Sequence, residues 1–171
     1  MKTFLLIFAL SCFSSFCEVV QGPMGRSLLG EQFVDFGFPN LEGEILESDK
    51  LREGKYLLLK IGRLDCPLCV QQMEILGRVD QEYQKKGVVF LDVSTDTDIE
   101  ELKSHSKKYD TDFETLIDED YLLVNYYQIE GIPVVLIVDQ TAEAKILFHR
   151  VGVVPEDELR SLLDKLVAKE K

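Results

Sequence analysis

Two cysteines three residues apart are the side chains of this sequence whose type and spacing most clearly indicate chemistry. Cys66 and Cys69 flank Pro67-Leu68, where an apolar run gives way to a helical pattern. At the start of a helix this spacing lets the two sulfurs reach bonding distance, and the free backbone N–H groups favour a thiolate on the first. A thiolate in this position can attack a substrate disulfide, and the second cysteine can resolve the mixed disulfide. The pattern predicts a redox-active pair with Cys66 as nucleophile and Cys69 as resolving residue.

Three other uses of a cysteine pair have different requirements. A zinc site needs a second cysteine pair or paired histidines, whereas His105 and His149 stand far apart in the sequence. A c-type haem site needs a histidine directly after the second cysteine, and Val70 occupies that position. We therefore expect neither a metal nor another cofactor. A purely structural disulfide stays an alternative, although a bridge across so short a loop would constrain the unfolded chain little.

Composition and charge exclude several classes of function. The 171 residues include 31 acidic and 19 basic side chains, a formal net charge of −12, and 46% of them are hydrophobic. This apolar fraction excludes wholesale disorder, and the length fits one domain with an appendage at most. Binding to nucleic acid or to anionic lipid depends on clustered Lys and Arg, so the acidic balance argues against both.

The first residues of the chain have the layout of a secretory signal peptide. Lys2 precedes an apolar run from Phe4 to Leu10, and small residues follow, which predicts cleavage after Cys17. Cleavage would remove one positive charge, so the net charge of −12 would become −13. We expect a periplasmic or secreted protein, with an uncleaved membrane anchor or a lipid on Cys12 as alternatives. The predicted organisation has three parts, namely a signal peptide at 1–17, an N-terminal leader at 18–30 and a domain at 31–171.

The rest of the chain alternates between strand and helix patterns, as α/β proteins do. Nearly continuous apolar runs are typical of strands that are covered on both faces. They span residues 56–61, 88–93, 134–138 and 145–149. From Gln32 onward, shorter apolar runs broken by Pro and Gly predict a β-hairpin before the first of these strands.

Apolar residues spaced three or four apart predict helices after Cys66, near residues 97–109 and at the end of the chain, with a shorter one near 121–127. Each long helix has a candidate start. We expect Asp65 to be the N-cap of the first helix, Thr97 with Glu100 to form a capping box for the second, and Pro155 to be the first residue of the last.

From about Gln32 to Val167 the sequence resembles the thioredoxin-like family of secreted thiol–disulfide oxidoreductases of the TlpA/ResA type, which is close to the peroxiredoxin branch. The matching segments are VDFGFPNLEGEIL, KYLLLKIGRLDCPLC, GVVFLDVSTD, GIPVVLIVDQ and PEDELRSLLDKL. The resemblance implies a thioredoxin fold: a central mixed β-sheet with helices on both faces, an N-terminal β-hairpin and an extra strand–helix insertion over residues 88–109. It also implies a cis peptide bond before Pro133, with Ile132 presenting its backbone to the substrate opposite the cysteines.

The same resemblance implies a function. It indicates an enzyme that acts on protein disulfides and dithiols, a reductase by the habit of the subfamily, supplied by a membrane thiol electron donor; we expect a monomer. The direction stays open because Pro67-Leu68 does not determine the reduction potential. One alternative is a thiol peroxidase of the peroxiredoxin type, which would carry Thr or Ser where this chain has Arg63. Another is a non-catalytic module of the same fold that binds partners through its acidic surface.

Four residues near the cysteines depart from the family pattern or carry charge, and they are predicted modulators of thiol reactivity. Asp65 stands where relatives carry an aromatic residue, usually Trp, and its charge would oppose a thiolate on Cys66. Gln72 stands where many relatives carry a glutamate that assists proton transfer. Arg63 would stabilise a thiolate. Lys60 lies six residues before the first cysteine, where thioredoxin keeps a buried aspartate.

Lys60 is unusual because it interrupts an apolar strand, and two interpretations follow. In the first, its stem packs in the core while its ammonium group reaches the edge of the sheet. In the second, the ammonium group lies beneath the cysteine pair. There it would supply a positive charge or a proton in place of the carboxylates that relatives carry near this site.

Overall fold

The structure is a computed structural model, and it describes residues 26–168. The predicted signal peptide at 1–17, with Cys12 and Cys17, lies outside the described residues, as does most of the predicted leader. The described end of that leader packs on the domain. Leu28 is buried, and the Gly30 N–H donates a 2.8 Å hydrogen bond to the Ile146 carbonyl.

Strands and helices alternate along the described residues. Their order and bounds are β1 (Gly37–Pro39), β2 (Ile45–Glu47), α1 (Ser48–Leu51), β3 (Tyr56–Gly62), α2 (Pro67–Gln84), β4 (Val88–Ser94), α3 (Ile99–Lys108), β5 (Glu114–Ile117), α4 (Leu122–Tyr126), β6 (Val134–Val138), β7 (Ile146–Val151) and α5 (Glu156–Val167). The four strands predicted from apolar runs are β3, β4, β6 and β7. Across residues 26–168, every helix is too short or too polar to cross a bilayer.

Five strands form the central sheet, in the order β5-β4-β3-β6-β7. Strands β3, β4 and β5 run parallel, whereas β6 and β7 each pair antiparallel with their neighbour. Strands β1 and β2 form a separate antiparallel hairpin. The predicted mixed sheet, the N-terminal hairpin and the extra strand–helix insertion, which is β4 with α3, are therefore confirmed.

Strands β3, β4 and β6 are buried as predicted, whereas β7, at the edge of the sheet, is only partly buried and the prediction of a fourth buried strand is wrong. Alternate residues of β3 point to opposite faces, so Leu59 packs with Leu123 and Tyr127 at α4, whereas Leu58 packs with Leu76 of α2 and Leu159 of α5. Parallel neighbours joined by right-handed crossovers place their connecting helices on one face of the sheet. Lys60 shares the face of Leu58, and this face carries the candidate site.

The first long helix starts one residue later than predicted. Cys66, not Asp65, is the N-cap of α2, and its sulfur accepts a 3.2 Å hydrogen bond from the Cys69 N–H. Proline is tolerated at the first helical position, and it drives the residue before it into the extended conformation that an N-cap adopts. Pro67 therefore selects Cys66 as the cap, at φ −101° and ψ 110°.

Two other helix starts also differ from the prediction by one residue. Asp98 caps α3 by accepting a 3.0 Å hydrogen bond from the Glu101 N–H, so the expected capping box of Thr97 is wrong. An aspartate carboxylate is a stronger cap than a threonine hydroxyl. Pro155 is the N-cap of α5 and not its first helical residue, because its ψ of 149° is extended.

Candidate active site

The two cysteines lie where β3 turns into α2, on the first turn of that helix. Cys66 is partly exposed, whereas the side chain of Cys69 is buried, and both are free thiols. The Cys69 N–H donates to the Cys66 sulfur, so a free backbone donor of the helix N-terminus points at the more accessible sulfur. This arrangement favours an anion on Cys66 and leaves Cys66 as the sulfur that a substrate reaches first.

The loop before β6 faces the same sulfur. The peptide bond between Ile132 and Pro133 is cis, and the Cys66 thiol donates a long hydrogen bond of 3.9 Å to the Ile132 carbonyl. Pro133 is buried and Ile132 is half-buried. The structure thus brings together the predicted nucleophile and the predicted substrate platform, although these residues are more than sixty positions apart in the sequence.

The environment of Cys69 opposes loss of its proton. The pKa of the Cys69 thiol is raised to about 12, first by burial and next by the hydrogen bond with Cys66, while the backbone N–H of Arg63 and the charge of Lys60 act in the opposite direction. Cys69 is therefore a protonated thiol at neutral pH. The pair is asymmetric, with one accessible sulfur at a helix N-terminus and one buried sulfur beside a cation.

Lys60 lies beneath the pair and not at the edge of the sheet. Its side chain is 3% exposed, and its ammonium group forms a 2.7 Å ion pair with Asp92. The interpretation that the ammonium group reaches the edge of the sheet is wrong, because β3 is the middle strand of five and Asp92 of the neighbouring strand stands directly beside Lys60. A buried cation needs such a partner.

The charges of Arg63 and Asp65 are paired with each other in the loop between β3 and α2. Their side chains are 44% and 69% exposed, and they form a 3.1 Å ion pair; Arg63 also approaches Asp96 at 3.8 Å. Solvent screens such exposed pairs strongly. The contribution of Arg63 at Cys69 comes from its backbone N–H, and the modulating roles predicted for the two side chains stay predictions.

Gln72 is buried on the second turn of α2. Its Oε1 atom accepts a 2.7 Å hydrogen bond from the Val154 N–H, and its Nε2 atom has no partner among the described residues. The contact joins the helix of the cysteines to the segment before α5. Gln72 thus has a structural contact of its own, whatever its effect on the thiols.

Two acidic residues of the site were not among those predicted from the sequence. Asp92 holds Lys60, and Asp96 fixes the loop before Cys66 by accepting a 2.7 Å hydrogen bond from the Leu64 N–H. A sequence signal existed for the first, because Lys60 and Asp92 are each the fifth residue of consecutive apolar strands. The sequence pattern contains no comparable signal for Asp96.

His105 of α3 is a third group near the buried ion pair. Desolvation lowers its pKa below the usual 6.5, the charge of Lys60 lowers it further, and Asp92 acts in the opposite direction. Its Nε2 atom is buried and has no partner among residues 26–168. In the same range, no three His, Cys, Asp or Glu side chains converge as metal ligands would.

Comparison with protein families gives one match that covers most of the chain. The AhpC/TSA family matches residues 29–145, which include both cysteines and Pro133.

Curated relatives match a similar part of the sequence. The chain is 28% identical over 114 residues to the thiol-disulfide oxidoreductase ResA of Halalkalibacterium halodurans, covering 67% of this chain and 64% of that protein. It is 30% identical over 99 residues to a Coxiella burnetii protein assigned as a peroxiredoxin (bcp), covering 58% and 65% respectively. The chain thus spans slightly less than two thirds of the length of these two relatives.

Among solved structures, a secreted Mycobacterium tuberculosis disulfide oxidoreductase homologous to E. coli DsbE superposes with a TM-score of 0.66. The two sequences are 21% identical, and the match covers 76% of this chain and 95% of the other. At that identity the likeness concerns the fold, and it confirms the predicted thioredoxin-like architecture.

Proposed function

Because this chain belongs to the AhpC/TSA family, we propose that it is a thiol–disulfide oxidoreductase that acts on protein disulfides through the Cys66–Cys69 pair. The observation that carries the proposal is the asymmetry of the two sulfurs. Cys66 is accessible and sits on a helix N-terminus opposite the Ile132 carbonyl, whereas Cys69 is buried three residues away. This difference in accessibility separates a nucleophile, which the substrate reaches first, from a resolving thiol.

The proposed reaction has two exchange steps. The Cys66 thiolate attacks one sulfur of the substrate disulfide, the substrate S–S bond breaks, and the released sulfur takes the electron pair and a proton. Cys69 then attacks Cys66 in the mixed disulfide, and the second substrate sulfur leaves in the same way. The substrate disulfide is reduced by two electrons, and the dithiol of the protein becomes a disulfide.

Ile132 and Pro133 supply the proposed substrate platform. Ile132 is half-buried and its carbonyl faces the Cys66 sulfur, so an extended substrate chain that pairs with its backbone would hold a disulfide against that sulfur. Backbone pairing of this kind gives affinity with little dependence on sequence. It suits an enzyme whose substrates are protein disulfides of varied sequence.

The proposed function also implies a compartment and an electron donor for this protein. The signal-peptide pattern supports a periplasmic or secreted protein. In that oxidising compartment a reductase needs a thiol electron donor at the membrane. We propose a monomer that receives electrons from such a donor and passes them to protein disulfides. The similarity to the thiol-disulfide oxidoreductase ResA supports thiol–disulfide exchange, and the habit of the TlpA/ResA subfamily favours the reductase direction.

A thiol peroxidase is the second candidate, and the similarity to the peroxiredoxin favours it. Arg63 stands three residues before Cys66, in place of the hydroxyl residue of that family, and its guanidinium group is paired with Asp65. A peroxidase would transfer the two electrons to hydrogen peroxide instead of a protein disulfide.

Parallel assays of insulin-disulfide reduction and peroxide consumption separate the candidates. We expect the wild-type protein to reduce insulin in the presence of dithiothreitol, and Cys66→Ser to lose this activity. Peroxide consumption without insulin reduction would support the peroxidase and contradict the proposal. Inactivity in both assays would leave a binding module.

A further inference from the structure

The side chains of Lys60 and Cys69 border a small space beside Gly62, and any residue with a Cβ atom at position 62 would fill it. A Cβ atom on Gly62 would lie 2.8 Å from the Cys69 sulfur and 2.9 Å and 3.2 Å from the Cε and Nζ atoms of Lys60. Both functional atoms therefore border the same small space. Their separation is less than about 6 Å, within the range over which a charge acts on a neighbouring titratable group.

The ammonium group is fixed in this position. Lys60 is buried, and its only ion-pair partner within the described residues is Asp92, which lies directly opposite it on the adjacent strand. A lysine stem that is packed in a strand and held at its tip has little freedom to turn away. The charge therefore stays next to Cys69 in the reduced protein, where no solvent screens it.

We propose that Lys60 stabilises the Cys69 thiolate during resolution of the mixed disulfide, with Asp92 as the residue that positions it and Gly62 as the residue that admits it. This inference rests on the proposed function and assigns a separate role within it. The buried Cys69 is the sulfur that loses its proton with difficulty, so a fixed cation beside it accelerates the second step.

The bonds in this step balance without a further reactant. The S–H bond of Cys69 breaks, and its electron pair forms the Cys69–Cys66 bond. The bond between Cys66 and the substrate sulfur breaks, and the substrate sulfur leaves with that electron pair. The proton released by Cys69 ends on the departing substrate sulfur, while Lys60 keeps its charge throughout.

Other groups also act on these atoms. Cys66 and the Arg63 backbone N–H face the Cys69 sulfur from α2 and its preceding loop. From α3, His105 lies close enough to Lys60 and Asp92 for their charges to act on it. A test must therefore isolate Lys60 from the rest of the site.

A chromogenic aryl disulfide separates the two steps in the purified, reduced protein. Attack by Cys66 releases one coloured thiolate in the first phase, and resolution by Cys69 releases a second. We expect Lys60→Met to slow the second phase about three- to fourfold for each unit by which the Cys69 pKa rises, because the smaller thiolate fraction is partly offset by the higher nucleophilicity of the thiolate, and to move the pH midpoint of that phase upward. The first phase reports the proposed function itself. Failure of both phases in the wild-type protein would contradict that function, whereas failure of the Lys60 effect alone would contradict this inference.

Three further variants keep the test decisive. Lys55→Met removes an exposed lysine next to the same strand, and both phases should match the wild type. The double variant Lys60→Met/Asp92→Leu removes both buried charges, a change that proteins often tolerate, and it should slow the second phase if the single variant does not fold. Gly62→Ala keeps both charges but crowds the shared space, so it should also slow the second phase. A folded Lys60→Met or double variant with an unchanged second phase and pH midpoint would overturn the inference.

Discussion

The side-chain oxygen of Gln72 accepts a 2.7 Å hydrogen bond from the backbone N–H of Val154, and both residues are fully buried. The bond joins the helix that begins at Cys66 to the segment that leads into α5. A backbone donor without access to water needs an acceptor from the protein. The glutamine therefore fixes how the helix of the cysteines sits against the last helix.

Replacing Gln72 by leucine should lower the free energy of unfolding by roughly 1–3 kcal/mol, because the Val154 N–H would lose its acceptor in a buried site. Urea unfolding followed by circular dichroism measures this change. Gln71→Leu is the matched control, since Gln71 is exposed on the same turn of α2. Equal stability of the two variants would contradict the structural role of the Gln72 contact.

The two thiols should differ in reactivity toward an alkylating reagent. Burial raises the pKa of Cys69, and the thiolate is the species that reacts. Iodoacetamide at neutral pH should therefore modify Cys66 and leave Cys69 unmodified, as read by mass spectrometry of the digested protein. Both cysteines should react once the chain is unfolded in urea. Preferential labelling of Cys69 in the folded protein would contradict the assignment of the two roles.

Gly77 of α2 packs against the backbone of α3. A Cβ atom at this position would collide with the carbonyl oxygen of Tyr109, which cannot rotate away as a side chain would. Gly77→Ala should cost about 1–3 kcal/mol through overpacking, which exceeds the gain of up to about 1 kcal/mol expected from helix propensity. Thermal unfolding checks the prediction. A melting temperature at or above that of the wild type would mean that α2 and α3 are further apart than described.

His105 should make the folded protein sensitive to mild acid. Its pKa is lowered in the folded state, first by desolvation, so below about pH 6.5 the unfolded chain binds more protons than the folded one. Its contribution to stability is therefore fully present at higher pH and is lost as the pH falls through that value. His105→Gln should show a smaller loss of stability than the wild type between about pH 7 and pH 5.5.

Denaturant midpoints at the two pH values give this difference. Lys107→Gln, an exposed change on the same helix, is the control. An identical pH dependence of His105→Gln and the wild type would show that His105 is not buried as described.

The sequence predicted those elements that depend on local pattern. The run from Tyr56 to Ile61 is apolar at nearly every position because β3 is covered on both faces, so its burial is visible without a structure. The cysteine pair is equally visible, since its spacing already places both sulfurs on one helical turn. The role of Pro133 could be predicted only from the resemblance to a known fold, because Cys66 is remote from it in the chain.

Contacts between elements decide those features of the site that the sequence pattern predicts wrongly or not at all. The sequence allows two positions for the ammonium group of Lys60, and only the register between β3 and β4 places Asp92 beside it. Gly62 carries no signal in the sequence, yet the space it leaves open brings Lys60 next to Cys69. The misplaced cap at Asp65 has a local cause, because the effect of Pro67 on the residue before it outweighed the general preference for aspartate.

Equilibration of the full protein with thiol–disulfide buffers shows whether Cys66 and Cys69 form one redox couple. The protein is incubated in mixtures of oxidised and reduced glutathione or dithiothreitol, quenched in acid, and the fraction of free Cys66 and Cys69 is measured after alkylation. We expect one transition of a two-electron couple, in which both thiols disappear together into a Cys66–Cys69 disulfide with a potential well below that of glutathione. Thiols that stay reduced in every mixture, or that oxidise independently as separate glutathione adducts, would contradict it.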